Sequence, residues 1–324
     1  MRRFIFKCAL LLVLVTGLIL LVNALYVRTN YWKSDSDMNK FSDIPYNLEL
    51  GNVGSSHTKV GIDWRVTPEV NAWNLALDEQ RFFYDYAVLN KFIDHFAENA
   101  VILICLSYFE IDNFLSSSDH TRARYYRILS KEDMDTWSLK EYVFYKLVPV
   151  LSADDVKMTG LLFDKPVSHM NPYYYRNSYM EGDRLYEYCI KKHSGWTTRL
   201  RPTTPQEDYA ENLAKVSEMI ELCESHHLRP VLITTPITDV LNSIYDEKTP
   251  DFFATFHQFS ADLRERYPDV PYFDYSHDEA FSGRHELFAD GDHLNNAGAE
   301  LFTKTLVADL QKEGFLPSHT KSSD

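Results

Sequence analysis

Residues 8–27, CALLLVLVTGLILLVNALYV, carry no charge and follow directly on Arg2, Arg3 and Lys7. A helix rises about 1.5 Å per residue, so a run of this length covers the roughly 30 Å hydrocarbon core of a bilayer. Basic residues on the N-terminal flank keep that end in the cytoplasm and send the following chain outward. Residues 1–7 are therefore expected as a cytoplasmic tip and 8–27 as a single-pass transmembrane anchor of an extracytoplasmic domain. The competing reading is a cleaved signal peptide, with Val22-Asn23-Ala24 as the small-residue site. The apolar run exceeds a usual signal core, which favours the uncleaved anchor. No later stretch is long and apolar enough to span again.

At 324 residues the whole chain has room for one large domain with insertions or two small ones. With 45% hydrophobic and 14% aromatic residues the chain can bury a substantial core. A net charge of -14 argues against a nucleic-acid partner, because phosphate binding needs basic surface to displace counterions. Cys8, Cys105, Cys189 and Cys223 are too scattered for a disulfide framework or a C-x-x-C metal site. A Cys189–Cys223 bridge is open in an oxidising compartment, but spacing alone does not support it.

Residues 28–46 are polar and aperiodic and read as a stalk. From 47 to 316 strand and helix signals alternate. NLELGNV (47–53) and VNAWNLAL (70–77) read as strands, and Phe82, Tyr86, Leu89, Ile93 and Phe96 mark a helix face between 81 and 99. VILICL (101–106) is a buried strand. Thr204-Pro205-Gln206-Glu207 has the form of a capping box opening a helix along Tyr209, Leu213, Val216, Ile220 and Cys223. PVLITT (230–235) and VPYFDY (270–275) read as strands, with a helix from Thr249-Pro250 between them. A closing helix carries Leu301, Phe302, Leu306 and Leu310 and stops at Gly314. This alternation implies an α/β domain with a mostly parallel sheet covered on both faces. Residues from about 110 to 203, with Tyr173-Tyr174-Tyr175 and WTTRL (196–200), break the rhythm and read as an insertion on the same domain. Its aromatics suit a small core of their own, or else a groove that stacks on sugar rings. Residues 317–324 are a tail.

Ligands of a parallel sheet collect at the carboxyl ends of its strands. Ser55 and Ser56 follow the first strand, and LFADGDHLNNAGAELF (287–302) follows the last, supplying Asp290 and His293 just before a helix. A serine needs a neighbouring base to become a nucleophile; His293 suits that role, with Asp290 orienting the imidazole. Each piece alone is more often a turn or a cap. Their placement after the first and last strands of one domain favours the catalytic reading. There is no G-x-S-x-G elbow, which argues against the ordinary α/β-hydrolase arrangement.

These residues resemble the SGNH (GDSL-like) hydrolase superfamily. Gly54-Ser55-Ser56 is similar to its first block, Gly-Asp-Ser, and residues 290–293 to its last, Asp-x-x-His. The resemblance implies a flavodoxin-like three-layer sandwich and places Ser56, rather than Ser55, as nucleophile. An anchor followed by Gly-Ser-Ser is similar to the DltD-like branch, whose members act on cell-envelope polymers beside membrane-bound O-acyltransferases. The implied function is that of a serine esterase or O-acyltransferase on acyl esters of envelope polysaccharide, with such an acyltransferase as partner. The alternative is a non-catalytic SGNH-like partner or glycan-binding module. The middle blocks depart from the pattern. Glu79 stands near the expected oxyanion glycine, and Ser107-Tyr108-Phe109 replaces the asparagine block, leaving Ser107 and Asn74 as side-chain candidates for the oxyanion hole. Asn74 is at least as well suited to bracing a turn.

No cofactor or metal is expected. Asp290 and Asp292 alternate as calcium ligands do, but Leu294 follows and no glutamate closes a twelve-residue loop. His226 and His227 suit a helix end. His57 is expected to point away from the nucleophile and serve structure, and His285 is open as a supporting residue.

Overall fold

A computed structural model describes residues 1–29, 32, 40–111, 122–152, 178–197 and 205–317. Tyr173–Tyr175, Thr204 of the capping box, 198–200 of WTTRL, the tail from 318 and much of the stalk lie outside the described residues. In chain order the main elements are α1 (Arg2–Tyr26), β1 (Leu48–Val53), α2 (Ser56–Gly61), β2 (Ala72–Asn74), α3 (Phe82–Phe92), β3 (Phe96–Cys105), α4 (Tyr125–Ile128) and α5 (Leu139–Tyr142). There follow α6 (Gly182–Thr197), α7 (Pro205–Ser225), β4 (Arg229–Thr234), α8 (Asp239–Lys248), α9 (Pro250–Arg266), β5 (Tyr272–Asp274) and α10 (Asn296–Lys312). The chain divides into two compact units, Met1–Asp43 with Ser118–Asn171 and Ile44–Ser117 with Pro172–Asp324.

The larger unit is built on five strands in the order β2-β1-β3-β4-β5, every pair parallel. This is the flavodoxin-like, doubly wound order, in which the chain reverses direction across the sheet at β1 and β3. Strands β3 and β4 are apolar runs because both their faces are covered. On one face Leu50, Val101, Leu103, Val231 and Ile233 pack with Phe302, Leu306 and Leu310 of α10. The alternate residues Ile102, Ile104 and Leu232 turn to the other face, where α7 packs on β3, β4 and α3.

The expected helix 81–99 stops early. Its apolar period continues through Ile93 and Phe96, yet Phe96 pairs with Leu48 as the first residue of β3. A single turn, Ile93–His95, makes the change, and the Asn99 N–H donates to the His227 carbonyl at 2.8 Å. Sheet pairing overrides the helical period here. The second strand is likewise only three residues long, although Leu75 and Leu77 still donate to the Asn52 and Gly54 carbonyls. Helix α8 was not expected.

The smaller unit contains α1, which is long and apolar enough to cross a membrane. Tyr125, Tyr126 and Met134 are buried there, and Arg127 lies 3.8 Å from the Trp32 ring centroid. Glu141 accepts from Tyr126 Oη at 2.7 Å and pairs with Arg122 at 3.3 Å. Tyr26, Tyr125 and Tyr126 are thus the buried aromatics among the described residues of this unit.

Candidate active site

The corner after β1 is made by Gly54, whose φ of 139° lies where L side chains are strained. An added Cβ would come within 2.5 Å of Thr58 Oγ1 and 2.8 Å of Cys105 Cβ. That corner turns β1 directly into α2 and leaves Ser56 as the first helical residue. At the other end of the sheet, residues 290–293 form a tight turn closed by the Ala289 N–H on the His293 carbonyl at 2.8 Å. Thr238, the cap of α8, donates its N–H and Oγ1 to the Gly291 carbonyl at 3.0 and 2.7 Å. Asn295 caps α10 by accepting the Gly298 N–H.

These two loops meet. Ser56 Oγ lies 2.8 Å from His293 Nε2, and His293 Nδ1 lies 2.9 and 3.1 Å from the two Asp290 oxygens. A carboxylate only accepts, so Nδ1 carries the proton and Nε2 is left to accept from the serine hydroxyl. Ser55 is different: it is buried, with its hydroxyl 3.3 Å from Ser107 Oγ.

His57, expected to point elsewhere, turns into the site instead. Its Nε2 donates to Asp292 Oδ2 at 2.9 Å, and its ring centroid is 4.8 Å from that of His293. The reason is packing: Phe109 meets the His57 ring edge-on at 4.9 Å and leaves Asp292 as its polar neighbour. Asp292 also accepts from Tyr108 Oη at 2.7 Å and from Lys192 Nζ, and its side chain is fully buried. Tyr188 donates to Asp290 Oδ2 at 3.2 Å. Cys189 packs on Gly291, where a Cβ would sit 2.7 Å from its sulfur. Helix α6 therefore grips the whole acid turn through three residues within one helical turn. Nothing local in the sequence signals this, because α6 belongs to the irregular stretch far from both loops.

The electrostatics follow from burial and neighbours. Burial pushes the Asp292 carboxyl up, but Lys192, His57 and His293 together hold it well below the usual carboxylate range. Asp290 shows the same balance and ends lowered, with His293 as the largest opposing influence. Burial lowers the His57 pKa against the pull of Asp292, so this imidazole stays neutral. Burial and the adjacent Asp292 raise the Tyr108 phenol well above its ordinary value, keeping it a donor. At the Gly54 corner lies a second ionisable group. Asp85 accepts from Gln80 Nε2 at 2.7 Å and from the Gly54 N–H, and burial raises its pKa to about 7. Burial raises Glu110 well above its normal range, against the pull of Arg81.

The side chains expected as oxyanion donors have other partners. Asn74 Nδ2 donates to the Thr58, Lys59 and Ile62 carbonyls, and its oxygen accepts from Asn52 and the Ala76 N–H, so it braces α2. Ser107 is buried beside Ser55 and Cys105. Glu79 is an exposed turn residue at φ 51°. His285 pairs with Asp239 at 2.7 Å. All four cysteines are free, including Cys189 and Cys223. His57, Asp292 and His293 offer ligand atoms within 4.8 Å of one another. A cation there would have to displace Lys192 and compete with the bonds to Ser56 and Asp290.

No family model matches the chain, and no curated protein matches it. Among solved structures it is similar to a Bacteroides fragilis crystal structure described as a "putative acylhydrolase", at 12% identity and a TM-score of 0.41, covering 86% of this chain and 95% of that one. A likeness of this size leaves the fold class resting on the chain's own strand order.

Proposed function

We propose that this chain is a membrane-anchored, extracytoplasmic serine esterase or O-acyltransferase of the SGNH type. The observation that carries the reading is the unbroken line from Ser56 Oγ through His293 to Asp290. Ser56 attacks the acyl carbonyl carbon while its proton passes to His293 Nε2, and Asp290 stabilises the imidazolium. The tetrahedral intermediate collapses, His293 returns the proton to the leaving alkoxide, and an acyl-Ser56 ester remains. Water or an acceptor hydroxyl, deprotonated by His293, then removes the acyl group. With Asn74 and Ser107 engaged elsewhere, stabilising the oxyanion falls to backbone N–H groups at the nucleophile corner. An anchor that holds the site near the outer leaflet favours envelope polysaccharide as acyl donor or acceptor, with a membrane-bound O-acyltransferase as partner, as in the DltD-like branch. Hydrolysis of small acyl esters by the purified protein tests the core of the reading: Ser56→Ala should abolish it, and full activity in that variant would refute the assignment.

The commitment of Asn74 and Ser107 also favours a second reading, a non-catalytic SGNH-like partner that binds an acyltransferase or a glycan. A fluorophosphonate probe separates the two. Labelling of Ser56 that disappears in His293→Ala requires an activated serine, whereas absence of labelling in the folded protein supports the binding module.

A further inference from the structure

The segment WSLKEYVFYKLVPVL (137–151) belongs to the same unit as the N-terminal helix and has the wrong surface for water. Ser138 caps its first turn by accepting the Glu141 N–H at 3.1 Å. A π turn over Val143–Leu147 and a 3-10 turn over Pro149–Ser152 continue it. Its leucines nevertheless face outward: Leu139, Leu147 and Leu151 are 64%, 52% and 42% exposed. From 139 to 152 only Pro149 is buried.

Asn23 of α1 says where this surface sits. Its Nδ2 donates to the Leu147 carbonyl at 3.3 Å, and its Oδ1 accepts from the Val150 N–H at 3.2 Å. Asn23 lies four residues inside the outer end of the uncharged run, roughly 6 Å along the helix axis. If that run fills the hydrocarbon core, Leu147 and Leu151 stand at the boundary between acyl chains and headgroups on the outer side. The other side chains suit that layer. Trp137 and Tyr142 have amphipathic rings 5.9 Å apart, and Lys146 carries its ammonium 5.7 Å from the Tyr142 ring. The backbone is also prepared for it, since the Val148 and Leu151 N–H groups donate within the segment at 2.7 and 3.0 Å.

We propose that residues 139–151 are a second membrane contact, a short amphipathic segment seated in the outer leaflet's interface, with lipid as its occupant. This rests on the reading of α1 as a membrane-spanning helix. Lys140 and Lys146 reach the headgroups while Leu147 and Leu151 enter the acyl region.

Nitroxide labels on the full chain test this in nanodiscs of mixed phosphatidylcholine and phosphatidylglycerol holding one copy each, with Cys8→Ser removing the exposed native thiol. Labels at Leu147→Cys and Leu151→Cys should collide more with oxygen than with a water-soluble nickel chelate, as a label at Leu14→Cys in α1 does. A label at the exposed Glu132→Cys should show the reverse ratio. Labels at 147 and 151 that match 132 while 14 remains lipid-like would overturn the proposal and leave the anchor intact. A water-like label at 14 would overturn both. Shielding of 147 and 151 that requires two copies per disc, or an added membrane protein, would replace lipid with a protein occupant and also overturn it.

Discussion

Two histidine–aspartate pairs lie side by side in this molecule and differ in what faces the far side of each imidazole. In the outer pair, His293 is held by Asp290 and presents its free nitrogen to Ser56, with 16% of its side chain exposed. In the inner pair, His57 and Asp292 are sealed at 2% and 0% exposure, and the third partner is a lysine. The same two residue types therefore divide into a pair with a partly exposed imidazole and a pair that is sealed from solvent. Chemistry needs an accessible base with an oriented proton. A buried carboxylate needs a compensating cation.

The largest expected effects fall on the outer pair. Ser56→Ala or His293→Ala should lower kcat/KM for acyl esters by at least ~10⁴-fold, and Asp290→Asn by about as much through the wrong tautomer. His57→Gln should cost about tenfold or less, with fluorophosphonate labelling retained. Equal losses from His57→Gln and His293→Gln would erase the distinction between the pairs.

Next come losses of stability centred on the inner pair. Lys192→Met leaves Asp292 buried without its cation and should destabilise by about 3 kcal/mol in denaturant unfolding. Lys192→Met combined with Asp292→Asn should recover most of that. A double variant no better than the single would mean that α6 holds the turn by packing and not by charge.

A smaller effect follows from the buried carboxyls, which act in opposite directions with pH. Asp85 has a raised folded pKa, about 7, so the native state holds a proton that the unfolded chain has already lost. Its contribution is fully present below the ordinary carboxylate range and declines as pH rises toward 7, by up to ~1.4 kcal/mol per pH unit. Asp85→Asn should remove that slope from the unfolding free energy between about pH 4 and 7. Asp292 has a depressed pKa, so its contribution is present above the ordinary range and disappears as acid brings the pH through the folded value. The smallest change is Tyr188→Phe, which removes one hydrogen bond to Asp290 and should cost about 1 kcal/mol in stability and under tenfold in rate.

Much of the fold was legible in the chain. The uncharged run 8–27, the apolar strands 101–106 and 230–235, and the stripes of α7, α9 and α10 are patterns of period and composition that local sequence carries. Misreadings arose where the third dimension competed with the pattern: at Phe96, whose helical spacing yields to pairing with Leu48, and in β2, reduced to three residues. That Ser56, His293 and Asp290 come together was readable because loop position after a parallel strand is a topological property. His57 was misread because the direction of a side chain at a helix start depends on its neighbours, here Phe109 and Asp292. Asn74 takes the bracing role that its sequence position also suited, and the Ser107 hydroxyl lies against Ser55, partners that only the folded chain brings near.

Sequence alone determined the layers, the helix fit to cross a bilayer and the strand ends where polar residues gather, since periodicity, length and charge are properties of neighbouring residues. Tertiary structure alone decided that Lys192, 100 positions from Asp292, supplies the charge that keeps a buried carboxylate ionised beside the outer pair. Such a contact has no local pattern: its energy arises only when two remote segments exclude water from the same point.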